Sequence, residues 1–350
     1  VLSPARTAPT DLRHHARPHG GSARSPIRVL CIAATGQSGS TILSRLLGEI
    51  PGFVAAGEIG RIWDKGLEED IDCSCGDRFS GCRFWTQVGD AAFDGWHQVD
   101  GPEIAGLRRS LSLEHLPLKH AMALPFIERP GLSRTYGRWL AQYTDRMQAV
   151  YRAIHEVSGG QVIVDSMKTP SHVYMMALQM RGMDVRVVHL VRDSRGYAYS
   201  QTKLVERQGS AGHGPHRTRR TPWKSAVKWD WVNQSFDHLS RRGVPGSRLR
   251  YEDLVTDTGP VLARVADVFD RSLRPSDLAF IGADGVQLSP GHIASGSRGR
   301  RTSGLIELRE DRQWSERFPS RDRRLVTAVT APILRRYGYR LVGSFRPASR

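Results

Sequence analysis

Ile27-Arg-Val-Leu-Cys-Ile-Ala-Ala-Thr35-Gly-Gln-Ser-Gly39-Ser-Thr41-Ile-Leu-Ser-Arg-Leu-Leu47 changes its hydrophobic period half-way along. The run Ile27 to Ile32 is almost wholly apolar, as in a strand buried on both faces, whereas Ile42, Leu43, Leu46 and Leu47 recur at helical spacing. Between them Gly36 and Gly39 allow a tight turn. A strand, a glycine turn and a helix in that order make backbone N–H groups converge. The helix N-terminus adds partial positive charge, and the hydroxyls of Ser38, Ser40 and Thr41 add donors. The segment therefore predicts an anion cradle. The triphosphate-binding form of this turn carries a Lys between its last Gly and the Ser/Thr, and Ser40 stands in that place. The expected anion is not a nucleoside triphosphate.

Working outward, the apolar runs Ile27–Ala34, Val162–Val164 and Val185–Val191, with a shorter one at Ser247–Tyr251, read as buried parallel strands. Helical patterns separate them. In Arg134–Val157 the residues Tyr136, Trp139, Leu140, Tyr143, Met147, Val150, Tyr151 and Ile154 repeat at three and four, which gives one apolar face. Pro170 suits the first turn of a second helix, Ser194–Val205 makes a third, and Trp223, Val227 and Trp231 mark a fourth. The expected fold is α/β, a P-loop-like three-layer sandwich with a central parallel sheet. Ligands of such sheets sit beyond the carboxyl ends of the strands, where Gly36–Thr41, Asp165–Lys168 and Arg192–Ser200 all fall.

A chain of 350 residues can bury one full core. A single domain over residues 27–341 is expected, with insertions near 59–134 and 204–222 and a short tail at 342–350. Residues 1–26 are rich in Arg, His, Pro, Gly and Ser without apolar periodicity and read as a disordered basic arm. No apolar stretch approaches the roughly 18 residues of a membrane span, and the start lacks a secretory pattern. A cytoplasmic location follows as an expectation, with peripheral membrane contact left open. The net charge of +16 raises the question of nucleic acid. The charge is scattered over the arm, Lys203–Lys224 and Arg298–Arg301 without a nucleic-acid motif, so no specific nucleic-acid partner is expected. A polyanionic nucleotide and an acidic acceptor account for the same field.

Val188-His-Leu-Val-Arg192-Asp-Ser-Arg195-Gly-Tyr-Ala-Tyr-Ser200 places a guanidinium at a strand end and a hydroxyl eight residues later, so that one phosphate could meet both. Taken with Gly36–Thr41, this order resembles the 5′-phosphosulfate loop and the 3′-phosphate strand-helix of sulfotransferases that use 3′-phosphoadenosine 5′-phosphosulfate (PAPS). Pro51-Gly-Phe-Val-Ala-Ala-Gly57-Glu58 sits where that family, its tyrosylprotein branch included, carries a Pro and then Gly-Glu. Val164-Asp-Ser-Met-Lys168-Thr-Pro170, Arg250-Tyr251-Glu-Asp-Leu254, Ser295-Gly-Ser-Arg298 and Arg336-Tyr-Gly-Tyr339 also match. Cys73-Ser-Cys75-Gly with Cys82-Arg-Phe-Trp85 is similar to a pattern of bacterial members. The likeness runs from about residue 27 to about residue 341.

The resemblance implies in-line transfer of a sulfuryl group from PAPS to a hydroxyl of a small molecule, natural product, glycan or glycolipid. It implies 3′,5′-adenosine bisphosphate (PAP) as product and no required metal. Carried over, the backbone of Gly36, Gln37, Ser38, Gly39, Ser40 and Thr41 holds the 5′-phosphate. Lys168 reaches the bridging or sulfuryl oxygens, Arg192, Ser200 and Arg298 bind the 3′-phosphate, and Tyr251 lies against the adenine. The family usually has Lys or Arg where this chain has Gln37. Gln donates a hydrogen bond without charge, a loss of about 1–3 kcal/mol unless another cation such as Lys168 substitutes. Glu58 matches the Gly-Glu that supplies the general base in the tyrosylprotein branch. A carboxylate beside a phosphosulfate needs a cation such as Arg61 or Lys168 to remain ionised. His97, His115 and His120 are weaker candidates for the base.

Each residue also has a plainer reading. A Gly-Ser-Thr turn can simply cap a helix, Arg192-Asp193 can be a surface ion pair, and Ser200 can face its own backbone. Lys168 can be a solvated loop lysine, Asp165 reads as a loop-pinning carboxylate, Glu58 can order Arg61, and Tyr251 can be core. Trp223, Trp229 and Trp231 read as packing residues. Cys73, Cys75 and Cys82 suggest a metal by type but are one ligand short of a closed zinc shell, with His97 as a candidate fourth; a disulfide and free thiols stay open. The runner-up function is a P-loop kinase or ATPase, on the strength of Val162-Ile-Val-Asp165, and the missing Lys after Gly39 speaks against it. A basic nucleic-acid binder is the non-enzymatic alternative.

Overall fold

The computed structural model describes residues 26–114, 119–203 and 220–341. Residues 1–25 of the basic arm, His115 and residues 204–219 of the second insertion lie outside them. In chain order the first half runs β1 (Ile27–Ala34), α1 (Ser40–Gly48), β2 (Phe53–Gly57), α2 (Arg83–Phe93), α3 (Gly101–Leu111), α4 (Lys119–Glu128) and α5 (Arg134–Ser158). It continues β3 (Val162–Asp165), α6 (Pro170–Gln179), β4 (Met183–Val191), α7 (Ser194–Thr202), α8 (Pro222–Arg241), β5 (Gly246–Arg250), α9 (Tyr251–Thr256) and α10 (Thr258–Asp267). Three short antiparallel strands, β6 (Ile281–Gly282), β7 (Gly285–Leu288) and β8 (Gly304–Ile306), precede α11 (Gln313–Arg317) and α12 (Ser320–Arg336).

The main sheet has five parallel strands in the order β2-β3-β1-β4-β5. Successive side chains of a strand point to opposite faces, and β1 shows both faces covered. Val29, Cys31 and Ala33 belong to one buried cluster with α5 and α6, while Leu30, Ile32 and Ala34 belong to another with α1 and α10. That is the expected three-layer sandwich. The register pairs Cys31 with Asp165 and Ala34 with Leu190, so the loops after β1, β3 and β4 leave the sheet along one edge.

Several elements differ from the expectation. Strand β2 was not anticipated, because Phe-Val-Ala-Ala-Gly carries little of the β-branched bulk that marks a strand. In α5 the apolar face is buried as expected, save that Trp139 is 39% exposed. In α8 the inward face is Ala226, Trp229, Val232 and Phe236. Trp223 and Val227, which marked the helix, point to solvent at 52% and 43% exposure. Of the three tryptophans there, Trp229 is fully buried and Trp231 packs partly buried against the core. The first insertion is part of the main core, with Trp63, Phe79, Trp85 and Ile104 buried in the same cluster as α5. No described helix is long and apolar enough to cross a membrane.

At the end of β3 the carboxylate of Asp165 is fully buried. Its Oδ1 accepts from the backbone N–H of Met167 at 2.8 Å and of Ile59 at 3.3 Å. Its Oδ2 accepts from Tyr151 at 2.5 Å and meets His172 Nε2 at 2.8 Å. Burial alone would raise its pKa, but the His172 ring and these hydrogen bonds together hold it below the ordinary carboxylate range. The stability it confers is therefore present above the unfolded pKa and is lost as pH falls through the lower folded one. Asp165→Asn should lower the unfolding free energy at pH 7 by about 1–3 kcal/mol. Urea titrations should also show less loss of stability below about pH 4 than in the wild type.

Candidate active site

The turn after β1 has the conformation its glycines suggest. Gly39 has φ of 85°, and Gln37, which is not glycine, has φ of 67°. Ser38 is buried, with its hydroxyl 2.5 Å from that of Thr35, and Ser40 opens α1. Thr41 lies 3.0 Å from the hydroxyl of Ser297. The Tyr251 ring lies directly on Gly39: a Cβ there would stand 2.5 Å from Tyr251 Cδ2. Tyr251 is thus the wall of the turn.

Arg192, at the end of β4, is buried and reaches the same place. Its guanidinium donates to the Gln37 carbonyl at 2.8 Å, lies 4.9 Å from the centre of the Tyr251 ring, and pairs with the Asp311 carboxylate at 3.0 Å. The Arg192-Asp193 pair considered from sequence does not form. Asp193 instead caps α7 through Arg195 N–H at 2.8 Å and takes the Arg195 guanidinium on both oxygens, at 2.9 and 2.6 Å. Ser200 is buried two turns into α7, and its hydroxyl donates to the Tyr197 carbonyl at 2.6 Å. Asp311 gave no sign in the sequence, standing beside Glu310 in a loop of mixed charge.

Two further strand ends supply the other half. Glu58 follows β2 and Lys168 follows β3, and they form an ion pair with both side chains about four-fifths buried, at 19% and 20% exposure. Arg61, the other cation considered for Glu58, pairs with Asp64 at 2.9 Å. The Glu58 N–H donates to the Ser295 carbonyl at 3.1 Å, and Gly57, with φ of 82°, lies so close that a Cβ would stand 2.6 Å from that carbonyl. The separate pieces join into one continuous chain of contacts. Lys168 meets Glu58, Glu58 the 295–297 strip, Ser297 Thr41, Gly39 Tyr251, and Tyr251 Arg192, which returns to Gln37.

Arg298 opens a short 3₁₀ turn, Arg298–Arg301, and its side chain lies outside those described. The histidines considered as bases do not join the chain of contacts. His97 is exposed beside Gln98, and His115 and the side chain of His120 lie outside the described residues. A small cavity lined by His189, Asp237 and Arg248 lies among β4, α8 and β5 and shares no residue with this site. The motif residues near the C-terminus brace the Arg192 loop. Glu252 accepts from Asp193 N–H at 3.0 Å and from the Tyr339 hydroxyl at 2.7 Å, which joins Arg250–Leu254 to Arg336–Tyr339.

A model of the sulfotransferase family matches residues 30–275. The chain belongs to the sulfotransferase family. It is a sulfuryl-transfer enzyme of the PAPS-dependent kind, and the kinase and nucleic-acid readings fall away. Among solved structures this sulfotransferase is similar to the sulfotransferase domain from the curacin biosynthetic pathway, at 16% identity and a TM-score of 0.46, over 91% of this chain and 99% of that one. It is also similar to the sulfotransferase domain of the Synechococcus PCC 7002 olefin synthase, at 17% identity and a TM-score of 0.49, over 91% and 97%. Retinol dehydratase in a complex with retinol and PAP aligns at 15% identity and a TM-score of 0.32, over 89% of this chain and 82% of that one. No curated protein matches the chain.

The two turn glycines should respond differently to a methyl group. Gly39→Ala should lose about 1–2 kcal/mol from its left-handed backbone, and more as the Tyr251 ring is displaced. At Gly36 an added Cβ meets nothing within 4 Å, so Gly36→Ala should lose less. Urea midpoints of the two variants measure the difference.

Proposed function

We propose that the Gly36–Thr41 turn holds the 5′-phosphosulfate of PAPS, that Arg192, Ser200 and Arg298 take the 3′-phosphate, and that Tyr251 lies against the adenine. Lys168 steadies the bridging and sulfuryl oxygens, and Glu58 is the general base for the acceptor hydroxyl. The observation that carries this reading is the continuous chain of contacts, which brings residues from four strand ends around one glycine turn. In the transfer, the acceptor oxygen forms a bond to sulfur as the bond from sulfur to the bridging phosphate oxygen breaks. The bonding pair stays on the phosphate of departing PAP, and the hydroxyl proton passes to Glu58. Negative charge grows on the bridging oxygen, where fixed donors and cations act most strongly. The transfer needs no metal.

Gln37 contributes through its main chain. Its carbonyl draws the Arg192 guanidinium to the turn, so a cation borders the cradle although the side chain at this position is neutral. Lys168 supplies the second. The acceptor is a hydroxyl compound that approaches from the Glu58 side, where the 59–134 insertion begins, since loops on a rigid sheet are where specificity resides.

Separate kinetic signatures test the roles. Glu58→Gln should lower kcat by about 10²–10⁴ while leaving PAP affinity within a few-fold. Lys168→Ala should lower kcat by about 10²–10³. Arg192→Ala should chiefly weaken PAP binding, by about 1.5–3 kcal/mol in calorimetry. Unchanged turnover in Glu58→Gln would place the base elsewhere.

A further inference from the structure

We propose that Cys73, Cys75, Cys82 and His292 form a structural zinc site that fastens the 291–297 strip to the loop before α2. Their four ligand atoms all lie within 4.8 Å of one another. The sulfurs of Cys75 and Cys82 are 3.6 Å apart, and Cys82 Sγ lies 3.3 Å from His292 Nδ1. Zinc with Zn–S near 2.3 Å and Zn–N near 2.0–2.1 Å has tetrahedral edges of about 3.8 Å between sulfurs and about 3.5 Å from sulfur to nitrogen. The Cys75–Cys82 and Cys82–His292 separations match those edges, and the ligands have the right softness. His292 supplies the fourth ligand; His97, considered for it from sequence, lies elsewhere.

The surroundings hold the four ligands in place. The backbone N–H of Cys75 is directed at the Cys73 sulfur and that of Asp77 at the Cys75 sulfur, which orients both sulfurs. Gly76, with φ of 106°, makes the turn that allows it. The imidazole is fixed as well. Phe84 stacks on the His292 ring at 5.0 Å with the planes 13° apart, and Trp85 Nε1 donates to the His292 carbonyl at 3.0 Å. Ser74 bonds on either side of the histidine, donating to the Gly291 carbonyl and accepting from Ile293 N–H, both at 2.7 Å. Cys73 and Cys82 are buried, Cys75 is half-buried and His292 is exposed, so the site is closed within and reachable from solvent. All four cysteines are free thiols, and a disulfide between any two of these three would leave a thiol and the imidazole without a purpose.

Four protein ligands complete a tetrahedral shell and leave no position for substrate, so the zinc is structural. The strip it holds continues to Ser295 and Ser297, which bond Glu58 and Thr41, and in that way the metal braces the site without entering it.

The test is elemental analysis of the full chain expressed in zinc-containing medium and desalted without chelator. One zinc per chain is expected. Cys75→Ser, at a half-buried position, and His292→Ala, at an exposed one, should each lose it to a competing chelator far faster than the wild type. His292→Cys should retain it. Protein reconstituted with Co²⁺ should show thiolate-to-cobalt charge transfer and intense tetrahedral d–d bands that shift in His292→Cys. Three results would each overturn the proposal: no stoichiometric zinc with no uptake of Zn²⁺ or Co²⁺, equal zinc retention in wild type and Cys75→Ser, or a Cys75–Cys82 disulfide in most of the freshly isolated protein.

Discussion

The placement of Glu58 and Lys168 rests on one fully buried carboxylate. Asp165 carries its charge inside the protein only because four donors surround it, and desolvation would otherwise neutralise it. Two of those donors belong to the backbone at Ile59 and Met167, the neighbours of Glu58 and Lys168. The other two come from α5 and α6 on one face of the sheet. One charge therefore ties the ends of β2 and β3 to each other and to the helical layer. The ion pair at the rim of the site inherits its geometry from that tie.

A second set of fixed charges works on the opposite flank. In this strongly basic chain the acids near the site are committed to particular cations or backbone donors. Asp311 takes Arg192, Asp193 takes Arg195, and Glu252 takes the Asp193 N–H together with the Tyr339 hydroxyl. Burial pushes the Glu252 carboxyl up, with Asp193 adding to the effect, so this acid depends on its donors as Asp165 does. The outcome is a guanidinium held between a turn carbonyl and an aromatic face. A long flexible side chain fixed in that way loses little further freedom on meeting an anion.

Much of this was legible before any coordinates. The change of period at Ala33–Thr41 announced strand, turn and helix, the apolar runs gave four of the five strands, and α5 announced its inner face. These are local signals, set by side chains a few residues apart. β2 escaped because two alanines and a glycine have no strand signature, and the true inner face of α8 was hidden by Trp223 and Val227, which look outward. Of the site, the turn and Arg192 stood out by their places after apolar strands, whereas Glu58, Lys168 and Tyr251 were named through the resemblance to the family. Asp311, and the commitment of Asp193 to Arg195 rather than Arg192, had no sequence signal.

What the sequence determined alone is the kind of fold and the chemistry available to it: a parallel sheet, a glycine turn for an anion, and cations placed after later strands. Tertiary structure decided which of those groups meet. Glu58 lies 110 residues from Lys168, Arg192 lies 155 from Gln37, and Cys82 lies 210 from His292. Contacts over such separations depend on strand order and on burial of the helices between. No spacing within the chain can specify them.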